Sequence, residues 1–246
     1  MNIQEKLFPP NNVYQIWLLL DPDDRAPDTL ADTATAAEEE GASVILVGGS
    51  FLSHDDFDSR VKLIKSSVSL PVVLFPGSSR QLSAHADGIL FMSLLSGRNP
   101  QYLIGEQVMA APIICRMGIK TIPTAYLLIE SGSMTSTEYV SNTKPIPRNK
   151  PELVVAHAQA AKLFGMQAVY LEAGSGAELP VPVEIIKAVH KSVDIPLIVG
   201  GGIRKSDQCI AAAKAGANAI VIGTGVERGG RSFVREMVSA LKGIAK

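Results

Sequence analysis

Three segments of this 246-residue chain share one form, a short apolar run that reads as a buried strand and ends in glycines. The first is Tyr170, Leu171, Glu172, Ala173, Gly174, Ser175 and Gly176, closing a run that starts at residue 168. The second is Leu197, Ile198 and Val199 followed by Gly200, Gly201 and Gly202. The third is Ile220, Val221 and Ile222 followed by Gly223, Thr224 and Gly225. A single glycine after a strand is an ordinary turn. Three such units in strand–helix rhythm point to a phosphate held by backbone N–H groups at the carboxyl ends of parallel strands. The first unit also delivers a carboxylate, Glu172, from the end of an apolar strand.

The rest of the chain keeps the same rhythm. Apolar runs at 14–20, 43–47, 71–75, 88–92 and 119–129 alternate with helical patterns at 29–40, 55–68, 102–117 and 151–164. Further helices are expected at 183–191, 205–215 and 232–245. Only residues 76–87 separate the third strand from the fourth, so the helix between them is expected to be short or missing. The helix within 102–117 is expected to break near Pro112. Residues 131–150 are polar, contain proline, lack periodicity and are long enough to be a lid. Their few apolar anchors predict weak packing, and Lys144 and Arg148 divide between meeting a substrate anion on closure and lying on a merely solvated loop. Pro151 suits the first turn of the helix it opens. Eight strands in βα alternation predict one (β/α)8 TIM barrel spanning residues 1–246, an α/β fold and not an open sheet.

Composition narrows the class. With 46% hydrophobic and 19% charged residues, a chain of this length buries a large core without staples. Its 23 Lys and Arg against 24 Asp and Glu argue against a nucleic-acid partner. Cys115 and Cys209 lie in apolar segments without paired spacing, so both read as buried thiols in a reducing compartment. The longest apolar stretch, 16–20, is too short to span a bilayer, and no basic leader precedes it. A cytoplasmic protein with no membrane span is expected.

In a barrel of this kind the chemistry sits where strands end. Asp21, Asp23 and the Ser50 hydroxyl gather oxygen ligands at the first two ends, a set that suits Mg²⁺ and not zinc. Ser53 with Asp56 reads as a capping box. His54, His85, His157 and His190 share no spacing and receive no role. Arg98 and Asn99 divide between diphosphate contact and a solvated loop, and Arg204 with Lys205 reads as the solvated start of a helix.

Taken together, five motifs carry a resemblance that spans the chain: Leu20-Asp21-Pro22-Asp23, Gly48-Gly49-Ser50, the run from Tyr170 to Gly176, Gly200-Gly201-Gly202-Ile203, and Gly223-Thr224. The sequence resembles the geranylgeranylglyceryl phosphate synthase family, whose members lack a proper third helix. The resemblance implies a Mg²⁺-dependent prenyltransferase joining a polyprenyl diphosphate, geranylgeranyl diphosphate above all, to the C3 hydroxyl of sn-glycerol 1-phosphate. It places Mg²⁺ on Asp21 and Ser50. It places glycerol phosphate on Tyr170, Leu171, Glu172, Ala173, Gly174, Ser175, Gly176, Gly201, Gly202, Gly223 and Thr224. Where the family commonly carries a lysine after its Asp-Pro motif, this chain has Asp24 and then Arg25, which can serve the diphosphate instead. Leu19 stands where the heptaprenyl-using branch has lysine, so the resemblance is to the archaeal-type second branch. That branch also occurs in Bacteroidetes and includes dimers and hexamers. A homo-oligomer is therefore implied, with peripheral membrane contact for product release.

The chemistry expected of the residues agrees. The attacking hydroxyl needs a proton acceptor, and Glu172, with Tyr170 beside it, is the catalytic carboxylate. Residues 89–92, 108–114 and 126–128 are the expected walls of an apolar groove. Two other readings stay open at this point. One is a phosphate-binding barrel of the isomerase, lyase or synthase type found in amino-acid biosynthesis. The other is a non-catalytic phosphate-binding barrel.

Overall fold

Strands that are apolar on both faces can only be buried on both, and here eight of them close on themselves. In the computed structural model, which describes residues 3–10, 13–23 and 26–244, the strands are β1 (Gln15–Leu20), β2 (Val44–Val47), β3 (Val72–Leu74) and β4 (Gly88–Leu94), then β5 (Thr121–Leu128), β6 (Ala168–Glu172), β7 (Leu197–Gly200) and β8 (Ala219–Ile222). All pair in parallel in sequence order, and β8 returns to β1. The expected TIM barrel is what forms.

Alternation along each strand divides the core into two layers. Trp17, Leu46, Val73, Leu90, Tyr170 and Ile198 point into the barrel, while Ile16, Leu18, Ile45, Val169 and Leu171 pack against the helices outside. A short helix, α1 (Ile3–Leu7), sends Ile3 and Leu7 into the inner layer. The Phe8 ring lies 5.5 Å from Trp17. The amino-terminal mouth is thus closed, leaving the carboxyl-terminal mouth for the site.

The outer ring comprises α2 (Pro27–Glu40), α3 (Phe57–Ser67), α4 (Glu106–Met117), α6 (Pro151–Leu163), α7 (Val183–Ser192), α8 (Ser206–Ala215) and α9 (Thr224–Lys242), with α5 (Ser136–Ser141) between β5 and α6. No helix lies between β3 and β4, as the short spacing predicts. Among the described residues, no helix is long and apolar enough to cross a membrane.

Several expectations are corrected. Helix α4 runs through Pro112 unbroken, after a π-helical turn at Gln101–Gly105. Residues 131–150 are held more firmly than their composition predicts. Thr135 caps α5 by accepting the Glu138 N–H (3.3 Å), and Ile146 is buried against the end of β5. The Ile146 N–H donates to the Leu128 carbonyl (2.8 Å), and its own carbonyl accepts from Glu130 (2.9 Å). Cys115 is exposed on α4, so only Cys209 is a buried thiol. The capping box does not form: Ser53 donates its N–H to Asp23, and the Asp56 carboxylate takes Arg60 Nε at 2.7 Å. Finally, α9 starts eight residues earlier than residue 232 and kinks at Gly230 (φ 55°, ψ −146°).

Candidate active site

The register of the barrel sets Glu172 opposite Leu128 on one side and Gly200 on the other, at the rim of the carboxyl-terminal mouth. Its side chain is buried, and Oε1 accepts the Gly174 N–H at 2.6 Å. Burial pushes the Glu172 carboxyl up to about 7, with the Gly174 N–H opposing the rise. A carboxylate poised there exchanges protons at neutral pH.

Beneath it lies an aromatic floor. The Tyr170 ring is 5.4 Å from Tyr126 and 5.3 Å from Phe75. Burial, then the nearby negative charge of Glu172, holds the Tyr170 hydroxyl far above its ordinary value, so it stays protonated. That hydroxyl is buried beside the Glu172 carboxyl, close enough to hold its pKa down, yet it makes no hydrogen bond of good geometry within the protein. A donor left partly unsatisfied in this way can turn to a bound oxygen. Burial first and Glu172 second raise the Tyr126 hydroxyl in the same way.

Glycines at the end of β7 are dictated by these two side chains. A Cβ on Gly200 would strike the Tyr170 hydroxyl, and one on Gly201 would strike Glu172 Oε1. Gly201 and Gly202 are left-handed as well (φ 80° and 70°). At the end of β8, Gly223 precedes the first turn of α9, where an added Cβ would meet Leu19 only at ordinary contact distance, 3.6 Å from its carbonyl oxygen. Residues of that turn and of the β7 turn line one pocket, which suits an anion at a helix start.

Just past the end of the neighbouring strand β1, the Asp21 carboxylate rests against Gly49, where any Cβ would collide with it. Asp21 Oδ1 accepts the Asp23 N–H at 3.0 Å. The Ser50 hydroxyl lies 3.3 Å from that of Thr137 on α5. The set fits Mg²⁺: both donors are oxygens, and the bare glycine leaves the carboxylate room to coordinate. Among the described residues no group of three or more His, Cys, Asp or Glu is gathered. Two protein oxygens are the share expected of a site that substrate phosphates complete.

On the β4 and α4 side of the mouth the pocket continues into an apolar groove. Ile89, Leu90, Phe91, Met92, Ala110 and Ile114 line it. Pro76, Gly77, Ser78, Ser79 and Leu82 of the helix-free β3–β4 connection also line the pocket. The expected walls are therefore met in part, since Val108 and Met109 point to solvent and Leu127 and Leu128 lie in the core.

One pocket thus brings together Asp21, Ser50, Tyr170, Glu172, Gly174, Ser175, Gly176, Gly201, Gly202, Gly223 and Thr224. Leu171 and Ala173 stand behind it, in the layer that packs against the helices. Asp23 does not face the pocket but ties down Ser53. Asp24 and Arg25 lie outside the described residues. Lys144 and Arg148 do not reach the pocket: Arg148 instead donates to the carbonyls of Glu130 (3.1 Å) and Pro180 (3.4 Å). Asn99 donates to Ser141 (2.6 Å) and Arg98 to Gly97 (2.8 Å). Arg204 is more than a solvated helix start, because it faces the pocket and clasps the Ala177 and Glu178 carbonyls at 2.6 and 2.7 Å. Sequence reasoning missed Thr137, Gln81 and Phe75. The first two are polar residues, one in the short helix α5 and one between β3 and β4, with no pattern to mark them.

Comparison with known proteins agrees with this geometry. A sequence model described as the PcrB family matches residues 13–241. A geranylgeranylglyceryl phosphate synthase from Thermococcus kodakarensis is 48% identical over 233 residues, covering 92% of each chain. One from Chitinophaga pinensis is 40% identical over 228 residues, covering 93% of this chain and 90% of the relative. The crystal structure of (S)-3-O-geranylgeranylglyceryl phosphate synthase from Thermoplasma acidophilum, in complex with its substrate sn-glycerol-1-phosphate, superposes with a TM-score of 0.94 at 37% identity. It covers 99% of this chain and 100% of its own.

Proposed function

This chain belongs to the PcrB family, and from that premise we propose that it joins a polyprenyl diphosphate to the C3 hydroxyl of sn-glycerol 1-phosphate. The products are a prenylglyceryl phosphate ether and diphosphate. The observation that carries the reading is a single pocket with a phosphate cradle, a neutral-range carboxylate and an apolar groove. Neither a sugar-phosphate isomerase nor a passive phosphate binder needs that groove. The names of the relatives support geranylgeranyl as the prenyl group.

Glycerol phosphate binds with its phosphate on the turns at Gly201, Gly202, Gly223 and Thr224, where no side chain blocks the backbone N–H groups. Its C3 hydroxyl then points toward Glu172, and the Tyr170 hydroxyl supplies the donor that orients a substrate oxygen. As the oxygen bonds to the allylic carbon, the carbon–diphosphate bond breaks and the hydroxyl proton passes to Glu172. Asp21 and Ser50 are the residues that would hold Mg²⁺, which supplies neutralisation of the leaving diphosphate's charge. The groove walls hold the prenyl tail and keep water from the reacting carbon. The proposal includes a cytoplasmic homo-oligomer, dimer or hexamer, with peripheral membrane contact as the product leaves. Exposed Ile104, Val108 and Met109 on the α4 side support a subunit contact.

Two measurements test the reading. sn-Glycerol 1-phosphate should raise the melting temperature while ribose phosphates do not, because a ligand of the native state stabilises it by mass action. Incubation with prenyl diphosphates of graded length should yield the ether, read by mass spectrometry. No product with any chain length would overturn the assignment. At the cradle, Gly223→Val should raise the KM for glycerol phosphate about tenfold or more, because a branched side chain blocks the approach to backbone. Its melting temperature should stay closer to the parent's than its KM does, because a Cβ there would meet Leu19 only at ordinary contact distance.

A further inference from the structure

Residues 75–87 cross from β3 to β4 without a helix, and this strap carries a glutamine as buried as any core aliphatic. Gln81 is 1% exposed. Its Oε1 accepts two backbone N–H groups, from Gly49 at 3.1 Å and Gly77 at 3.2 Å, and its Nε2 donates to the Gly49 carbonyl at 2.8 Å. One amide thus satisfies three main-chain groups at the ends of two neighbouring strands. The two ends touch directly as well, since a Cβ on Gly48 would strike the Phe75 carbonyl and one on Gly77 the Gly49 carbonyl. Backbones this close leave no side chain between them, and Gln81 is what joins them.

What Gln81 fixes is the segment that carries the ligands. Gly49 is the surface on which the Asp21 carboxylate rests, and Ser50 is the next residue. A shift of Gly49 by a few tenths of an ångström moves the hydroxyl of Ser50 and changes the room left to Asp21. Elsewhere in a barrel of this type a helix packed behind the strand would hold such a turn. Here no helix follows β3, and the strap carrying Gln81 takes its place.

We propose that Gln81 is a positioning residue for the diphosphate half of the site, holding Asp21 and Ser50 in register through Gly49 while making no contact with either substrate. The inference rests on the assignment of Asp21 and Ser50 to Mg²⁺ and diphosphate made above. It extends that assignment to a residue outside the pocket wall. The glycerol phosphate cradle lies on β6, β7 and β8, across the barrel from Gln81, so the two halves should respond differently to its loss.

The experiment is a thermal-shift titration with two probes, Mg²⁺ with inorganic diphosphate and sn-glycerol 1-phosphate, on the parent and two variants. Gln81→Met keeps the length and shape of the side chain and removes all three hydrogen bonds. Gln81→Glu keeps the acceptor for both N–H groups and loses the donor, and it serves alone if the methionine variant does not fold. In Gln81→Met the apparent dissociation constant for Mg²⁺ with diphosphate should rise about tenfold or more, the size usual for residues that orient metal ligands. Gln81→Glu should fall between it and the parent. Stabilisation by sn-glycerol 1-phosphate should match the parent in both, and so should its KM. Equal stabilisation of all three proteins by both probes would overturn the proposal. So would parallel loss of both responses, which is the mark of a merely structural role. A parent protein that neither probe stabilises would instead overturn the proposed function, and this inference with it.

Discussion

Glu172→Gln is expected to lower kcat by about two to three orders of magnitude, the usual contribution of a positioned proton acceptor. The amide keeps the shape of the side chain and can still accept the Gly174 N–H through its oxygen. It cannot take a proton from the attacking hydroxyl. Binding of sn-glycerol 1-phosphate should therefore survive, and single-turnover measurements should place the loss in the chemical step. The parent's rate should climb as pH rises through about 7, where the Glu172 carboxyl ionises, and the variant's rate should lack that rise. A parent whose rate is flat between pH 6 and 8 would remove Glu172 as the base.

The same carboxyl makes a second, independent claim about stability. Its pKa is raised from 4.5 unfolded to about 7 folded, with burial as the first cause. Between those values the folded protein binds more protons than the unfolded chain, so stability falls as pH rises. The contribution is fully present below about 4.5 and lost above about 7. A shift of that size corresponds to about 3 kcal/mol at most. Glu172→Gln, which never has to bury a charge, should then melt higher than the parent above neutrality and show little difference in mild acid. A gain in stability paired with a loss of rate is the signature of a group strained for function.

How much of this was legible in the sequence depends on the range of the interaction. Strand number and order could be read because buried parallel strands are apolar on both faces and end in glycines. The glycine turns could be read because close approach to backbone leaves no other residue type. Glu172 was visible as a charge ending an apolar run. Gln81 was not, since its partner Gly49 lies thirty-two residues away and a polar residue in a short connection looks like any solvated one. Pattern also failed where tertiary contacts decide the outcome. Ile146, with the buried polar side chains of Ser131, Thr135, Ser141 and Thr143, anchors residues 131–150 that composition marks as loose. Helical period places Cys115 on an apolar helix but cannot say which of its faces is covered; α4 leaves Val108, Met109 and Cys115 outside.

Asp21→Asn should reduce turnover about a hundredfold or more, the order of loss expected when a metal-orienting group is disabled. The substitution is close to isosteric. An asparagine oxygen can still take the Asp23 N–H that Asp21 Oδ1 accepts at 3.0 Å, and the side chain can still rest on Gly49. Folding and the response to sn-glycerol 1-phosphate should accordingly be unchanged, because the cradle on β6, β7 and β8 does not involve Asp21. What is lost is the negative charge. A neutral amide oxygen is a weak ligand for Mg²⁺, a hard cation that is usually bound through one or two carboxylates and substrate phosphates. The stabilising effect of Mg²⁺ with inorganic diphosphate should therefore disappear from the melting curve. Raising Mg²⁺ should recover part of the activity, since mass action offsets a weakened site. Loss of the glycerol phosphate response as well would show that Asp21 supports the whole mouth of the barrel. Parental turnover at low Mg²⁺ would mean that the metal, if one is used, is held elsewhere.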